Sequence, residues 1–418
     1  MKQIVIDGGK TLKGTIKVSG AKNSAVALIP AAILSKGVVK IDNVPDISDV
    51  RALEEILIFL GAKVKRDGSM MIIDSSKISN KEIPREISDK LRASYYFMSA
   101  LLGRFNKVTM HFPGGCSIGA RPIDQTLKGY KALGATVKED GDKVSIKASK
   151  LVGKEIYLDM ASVGATVNIM ITACLAKGTT IIHNVAKEPE IVNIATFLNN
   201  MGAKIKGAGT STISIEGVKE LGGCYTEVIP DRIEAGTYII AGALMGDKLK
   251  IDNLIPKHID SFLSKLEEMG VKLEVGTDYV IVSKSKNLKS VNIKTLGYPG
   301  FATDLQQPIT PLLCTCKGVS KLEETIYENR FKHVPYLGDM GAKIETATNR
   351  IIKIHGPIKF KGSHVSATDL RAGACMVLAA LAADGKTTID NAHYILRGYE
   401  NIIEKLRNVG ASIDLIDN

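Results

Sequence analysis

Cys116 is the residue whose setting most suggests chemistry. It stands in the segment HFPGGCSIGARPIDQ, residues 111–125, between the strand-like KVTMHF and a helical pattern. Glycines and prolines around a thiol keep it accessible and let backbone approach a ligand closely. Arg121, five residues further on, could lower the thiol pKa and fit it for acid–base service. No histidine is placed to make a protease-like pair, because His111 falls in a strand pattern.

A second set of polar residues recurs near the starts of helical stretches: Lys22, Arg92, Ser162, Arg232, Asp304 and Asp369/Arg371, the first four spaced 70 residues apart. Helix N-termini carry free N–H groups and a partial positive charge, so they attract phosphate and carboxylate. Ser and Asp there can equally be plain N-caps. Capping does not account for Lys22, Arg92 and Arg232, since cations are disfavoured at that end.

These residues are positioned by an internal repeat. The phrase LGAKVKRDG returns as LGATVKEDG, MGAKIKGAG, MGVKLEVGT, MGAKIETAT and VGASIDL, with its glycine at positions 61, 134, 202, 270, 341 and 410. An amphipathic helix precedes each glycine, which ends it, and a hairpin follows. Each unit opens with a second helix that is apolar nearly all round, for example SVGATVNIMITACL, and so belongs at the centre of a domain. Six βαβαββ units in two groups of three fit a chain of 418 residues better than one solenoid.

Composition narrows the function. The excess of 55 basic over 44 acidic residues gives +11 and favours anionic partners. The cations are dispersed, aromatics are 5% and Trp is absent, which argues against nucleic acid and for a small anionic substrate. The six cysteines form no CxxC pair, and there is no HExxH, Walker lysine loop or GxGxxG after a strand, so neither a metal nor a nucleotide cofactor is expected. No run reaches a membrane span and the N-terminus lacks a signal-peptide core; the expected location is cytoplasmic.

GGCSIGARPID, with SGAKNSA, SVGATV, EPEIV, PDRIE, ENRF, ATDLRA and RGYE, resembles the UDP-N-acetylglucosamine 1-carboxyvinyltransferases, enolpyruvyl transferases of the EPSP synthase-like superfamily. The resemblance spans essentially the whole chain. It implies an α/β fold of two inside-out α/β barrels, with three βαβαββ repeats in each. Residues 1–21 and 230–418 would form one discontinuous domain bearing the base, and 22–229 an inserted domain bearing the cysteine loop. The first strand would pair with the second-half domain, and the active site would lie in a cleft between the two.

The resemblance further implies transfer of the enolpyruvyl group of phosphoenolpyruvate to the 3-hydroxyl of UDP-N-acetylglucosamine, with loss of phosphate, as the first committed step of peptidoglycan synthesis. Cys116 would be the general acid and the target of fosfomycin. Lys22, Arg121 and Arg397 would hold phosphoenolpyruvate, Asn23 would sit beside the reacting centre, and Asp304 would take the hydroxyl proton. Arg92, Arg121, Pro122, Ile123, Asp124, Gln125, Ser162, Val163, Gly164 and Ile326 would contact the sugar nucleotide, with Asp369 and Arg371 lining the cleft. Plainer roles stand beside these: interdomain ion pairs for Arg330, Arg371 and Arg397, helix caps for Asp304 and Asp369, and a core position for Ile326. No cofactor, nucleic acid or membrane partner is implied, and a monomer is expected. Two positions depart from a common family pattern: Gln125-Thr126 where Leu-His is frequent, and Met160 where a lysine is frequent.

Overall fold

The computed structural model describes residues 2–89, 91–111, 123–141 and 143–417, without the side chain of Arg92. Two compact units emerge, and the chain passes between them at Ser19/Gly20 and at Ile229/Pro230. Each has its own apolar core.

The repeat is visible in every local element. Helix Ser48–Leu60 buries Val50, Leu53, Leu57 and Leu60, a three- and four-residue spacing that puts one face against the core. It ends because Gly61 is left-handed, with φ 103°, and its N–H turns back to Ile58 O. The counterpart glycines at 134, 202, 270, 341 and 410 have φ of 95°, 104°, 91°, 96° and 102°, a conformation that a side chain would strain.

Strand topology follows one plan. Glu155–Tyr157 runs parallel to Thr179–His183, and helix Val163–Ala173 makes the crossover between them. The central strand then pairs antiparallel with Thr212–Glu216, which pairs with Lys204–Lys206. Such crossover helices are apolar all round because they pack on one another: Tyr96–Phe105 lies between Lys22–Ala31 and Val163–Ala173, and Arg232–Met245, Gln306–Cys314 and Leu370–Ala382 contact each other. Among the described residues there are six small sheets, and none closes on itself. The expected barrels are thus separate sheets laid over a helical core.

Three of the sheets borrow a strand from elsewhere in the sequence. Thr15–Lys17 is the parallel edge for Leu249–Asp252, and Cys224–Glu227 is the edge for Val38–Asp42. Lys2–Asp7 lies between Lys386–Asp390 and Ser412–Asp417. An asparagine locks the parallel edge strand in three of the sheets. Asn43, Asn184 and Asn253 follow their central strands with φ of 54°, 56° and 60°, which Asn tolerates better than most residues. Their side-chain amides donate at 2.8 Å to the carbonyls of Val228, Leu158 and Val18.

Candidate active site

In the unit of residues 20–229, Lys22 opens helix Lys22–Ala31, whose N-cap is Ala21 with no side-chain cap. Its Nζ lies 3.1 Å from Asp49 Oδ2, a carboxylate only 3% exposed. Asp49 is in the first turn of helix Ser48–Leu60, where a carboxylate complements the helix dipole. Sequence reasoning missed it, although an acidic first turn was legible in PDISDV. Asn23 follows Lys22 and is half-buried.

Ser162 is the N-cap of helix Val163–Ala173 and accepts from the Ala165 amide at 3.3 Å, so the plain capping role holds for it. A Cβ on Gly164 would lie 2.0 Å from the Tyr95 hydroxyl; no larger residue fits without displacement. Asn168, buried in the same helix, donates to Gly164 O at 2.9 Å and accepts from Tyr130 Oη at 3.2 Å. Ile123 is half-buried at the N-cap of helix Asp124–Ala132, and Asp124 is exposed in its first turn. Gln125 is buried, and its amide is spent inside the protein. Nε2 donates to Asp124 and to Asp159, both at 3.0 Å, while Oε1 accepts from the Asp159 amide at 2.9 Å. Met160 is 61% exposed. Arg92 starts a 3-10 turn. Cys116, Arg121 and Pro122 lie outside the described residues.

In the other unit Asp304 sits in the 3-10 turn Thr303–Leu305, whose N-cap is Ala302. It is not a helix cap. Two arginines grip it instead: Arg330 Nη2 at 2.7 Å from Oδ1 and Arg371 Nη2 at 3.0 Å from Oδ2. Burial pushes the Asp304 carboxyl up, but Arg371 and Arg330 outweigh it and hold the group well below the ordinary carboxylate range. Arg330 also donates to Thr303 Oγ1 at 2.6 Å, and Thr303 donates to Glu324 at 2.7 Å. Glu324 in turn accepts from the Ile326 amide at 2.8 Å. Thr303 and Asp304, the partners named here for Arg330 and Arg371, belong to the same unit as the arginines.

Asp369 does cap its helix, accepting from the amides of Arg371 at 2.9 Å and Ala372 at 3.0 Å. Its second oxygen accepts from Gln307 Nε2 at 3.2 Å. Ile326 is 43% exposed, so a core position does not describe it. Arg397 follows helix His393–Leu396 and is half-buried. Beside burial, its charge lowers the His393 pKa. Arg232 lies 5.7 Å from the centre of the Tyr298 ring. Lys22 in one unit and Arg330 with Arg371 in the other thus each face a carboxylate. No group of His, Cys, Asp and Glu among the described residues could hold a metal ion.

A family model described as EPSP synthase (3-phosphoshikimate 1-carboxyvinyltransferase) matches residues 6–406. The chain belongs to this family. It is 53% identical, over the full length of both chains, to UDP-N-acetylglucosamine 1-carboxyvinyltransferase 2 of Streptococcus mutans and likewise to that of Lactococcus lactis. Among solved structures it is similar to the enolpyruvyl transferase NikO of Streptomyces tendae, with TM-score 0.90, 29% identity and 99% of each chain covered. EPSP synthase from Acinetobacter baumannii, at 19% identity and TM-score 0.74 with both chains fully covered, shares the fold. The chain is therefore a transferase with the mixed α/β fold of enolpyruvyl transferases. No helix among the described residues is long and apolar enough to cross a membrane.

Proposed function

We propose that this protein transfers the enolpyruvyl group of phosphoenolpyruvate to the 3-hydroxyl of UDP-N-acetylglucosamine and releases phosphate, the committing step toward peptidoglycan and so toward cell shape and division. The observation that carries the reading is full-length identity of 53% to relatives bearing that enzyme's name. No cofactor enters the reaction, and both substrates are small molecules met in the cytoplasm by a monomer.

The chemistry is addition followed by elimination. The sugar hydroxyl adds to C2 of phosphoenolpyruvate while C3 takes a proton, and phosphate leaves from the tetrahedral intermediate. Cys116 supplies that proton, which makes it the group a fosfomycin epoxide would alkylate. Lys22, Arg121 and Arg397 neutralise the phosphate and carboxylate, and Asn23 offers an amide beside them. Arg92, Pro122, Ile123, Asp124, Ser162, Val163, Gly164 and Ile326 hold the sugar nucleotide.

Asp304 takes the hydroxyl proton. The two guanidiniums on it keep it charged and also make it a weak base, far from the near-neutral pKa that favours proton transfer. Its basicity rises when an incoming phosphate or carboxylate draws Arg330 or Arg371 away, so substrate binding itself arms the base. Asp369 serves by fixing the helix that presents Arg371.

Phosphate release with both substrates tests the proposal. It should require UDP-N-acetylglucosamine, ignore shikimate 3-phosphate and vanish in Cys116→Ala. Turnover with shikimate 3-phosphate, or none with UDP-N-acetylglucosamine, would refute it.

A further inference from the structure

We infer that the side chain of Gln125 is a positioning group, tying the loop ahead of Ser162 to helix Asp124–Ala132, rather than a ligand contact; the inference rests on the sugar-nucleotide reading above. The side chain is 8% exposed. Its carbonyl receives the Asp159 amide at 2.9 Å, and its NH2 reaches Asp159 Oδ2 and Asp124 Oδ2 at 3.0 Å each. Both donor positions and one lone pair of this amide are therefore used by the protein.

The bridge joins two stretches that are far apart in sequence. Ile123–Asp124 lies on one side of it, and Ser162–Gly164 on the other, only three residues beyond Asp159. Lys128, one turn along the same helix, binds the remaining oxygen of Asp159 at 2.8 Å. That bond is surface-exposed and salt-screened, so the part-buried amide bridge, anchored on buried Gln125, is the firmer of the two attachments. A leucine at position 125 could make none of these hydrogen bonds. Met160, the residue next to Asp159, is 61% exposed. The amide clamp thus fixes the loop at Asp159, directly before this exposed thioether.

Removing the clamp exposes its function in the free protein. In Gln125→Leu without ligands, the Asp159 amide should exchange its hydrogen at least about tenfold faster, while amides of the unit containing Asp304 keep their protection. In steady state the KM for UDP-N-acetylglucosamine should rise about tenfold, with kcat and the KM for phosphoenolpyruvate within about twofold of the parent; tenfold corresponds to about 1.4 kcal/mol, on the scale of one amide bridge. A raised KM with Asp159 exchange unchanged would make Gln125 a direct contact and overturn the inference. So would unchanged exchange together with unchanged KM. Should Gln125→Leu lose protection everywhere, Gln125→Met, which keeps the length without the polar atoms, is read by the same two measurements. The exchange arm is independent of turnover, so a parent protein inert toward UDP-N-acetylglucosamine would strike the proposed substrate and leave the bridge standing.

Discussion

Lys22 Nζ and Asp49 Oδ2 lie 3.1 Å apart, with the lysine side chain 16% exposed and the carboxylate 3%. The pair joins the first turns of two helices, so the cation proposed to meet phosphoenolpyruvate already has a counter-charge. Asp49→Asn should remove that counter-charge and destabilise the unit by about 2 kcal/mol, less than for a fully buried pair. Phosphoenolpyruvate should recover part of the loss, because it supplies the missing anion. Melting temperatures with and without phosphoenolpyruvate check this: the ligand-induced rise should be larger in the variant.

The double grip on Asp304 should shape the acid limb of activity. Its carboxyl is held below the usual value of 3.8 by Arg371 and Arg330 against the opposing effect of burial. A lowered carboxylate contributes stability above its unfolded pKa and loses it as pH falls through the folded one. Arg330→Lys keeps a charge but not the fork that serves Thr303 and Asp304 together. It should cut kcat about 10- to 100-fold and move the acid limbs of both activity and stability to higher pH. A pH–rate profile and acid titration of folding measure the two effects.

Gly164 offers a test of crowding. A methyl group there would meet the Tyr95 hydroxyl at 2.0 Å and its ring carbon at 3.2 Å. Gly164→Ala should raise the KM for UDP-N-acetylglucosamine about tenfold or more, in line with overpacking costs of about 1–3 kcal/mol. Tyr95→Phe in the same chain should restore part of the loss, since only the closer atom is removed. A double-mutant cycle on KM and melting temperature reads the coupling.

His333 is fully buried, its Nε2 beside Thr310 Oγ1 at 3.3 Å. Burial drives its pKa down to about 4 from 6.5. The unfolded chain therefore takes up a proton below about pH 6.5 that the folded one refuses until about pH 4, so stability falls as pH falls across that window, by on the order of 3 kcal/mol. His333→Gln should flatten this part of the profile. Urea unfolding at intervals between pH 7 and pH 4 checks it.

Much of the architecture was legible because periodicity survives in each repeat. The amphipathic helix before Gly61 and the all-apolar helix Val163–Ala173 are read from residue spacing alone. Strand borrowing was less accessible to residue patterning: the family resemblance implied it for the first strand, which does pair with Lys386–Asp390 and Ser412–Asp417. Thr15–Lys17 is three residues long and carries too little pattern to announce its partner. Side-chain roles divided by how local they are. Ser162 could be read as a cap from its neighbours, whereas the grip of Arg330 and Arg371 on Asp304 spans 26 and 67 residues and no spacing rule reaches that far. Gln125 stood out as an unusual residue, but its partner Asp159 emerges only from the three-dimensional contact.

The borrowed strands also bear on how the chain is made. Residues 2–17 leave the ribosome well before their partners, because Lys2–Asp7 and Thr15–Lys17 pair with Lys386–Asp390, Ser412–Asp417 and Leu249–Asp252. At about 5–20 residues per second, the apolar Ile4 and Ile6 wait tens of seconds for cover while residues 20–229 can already complete their own sheets. Residues 2–17 can therefore dock only after strands made much later in translation, and until then their apolar side chains need shielding.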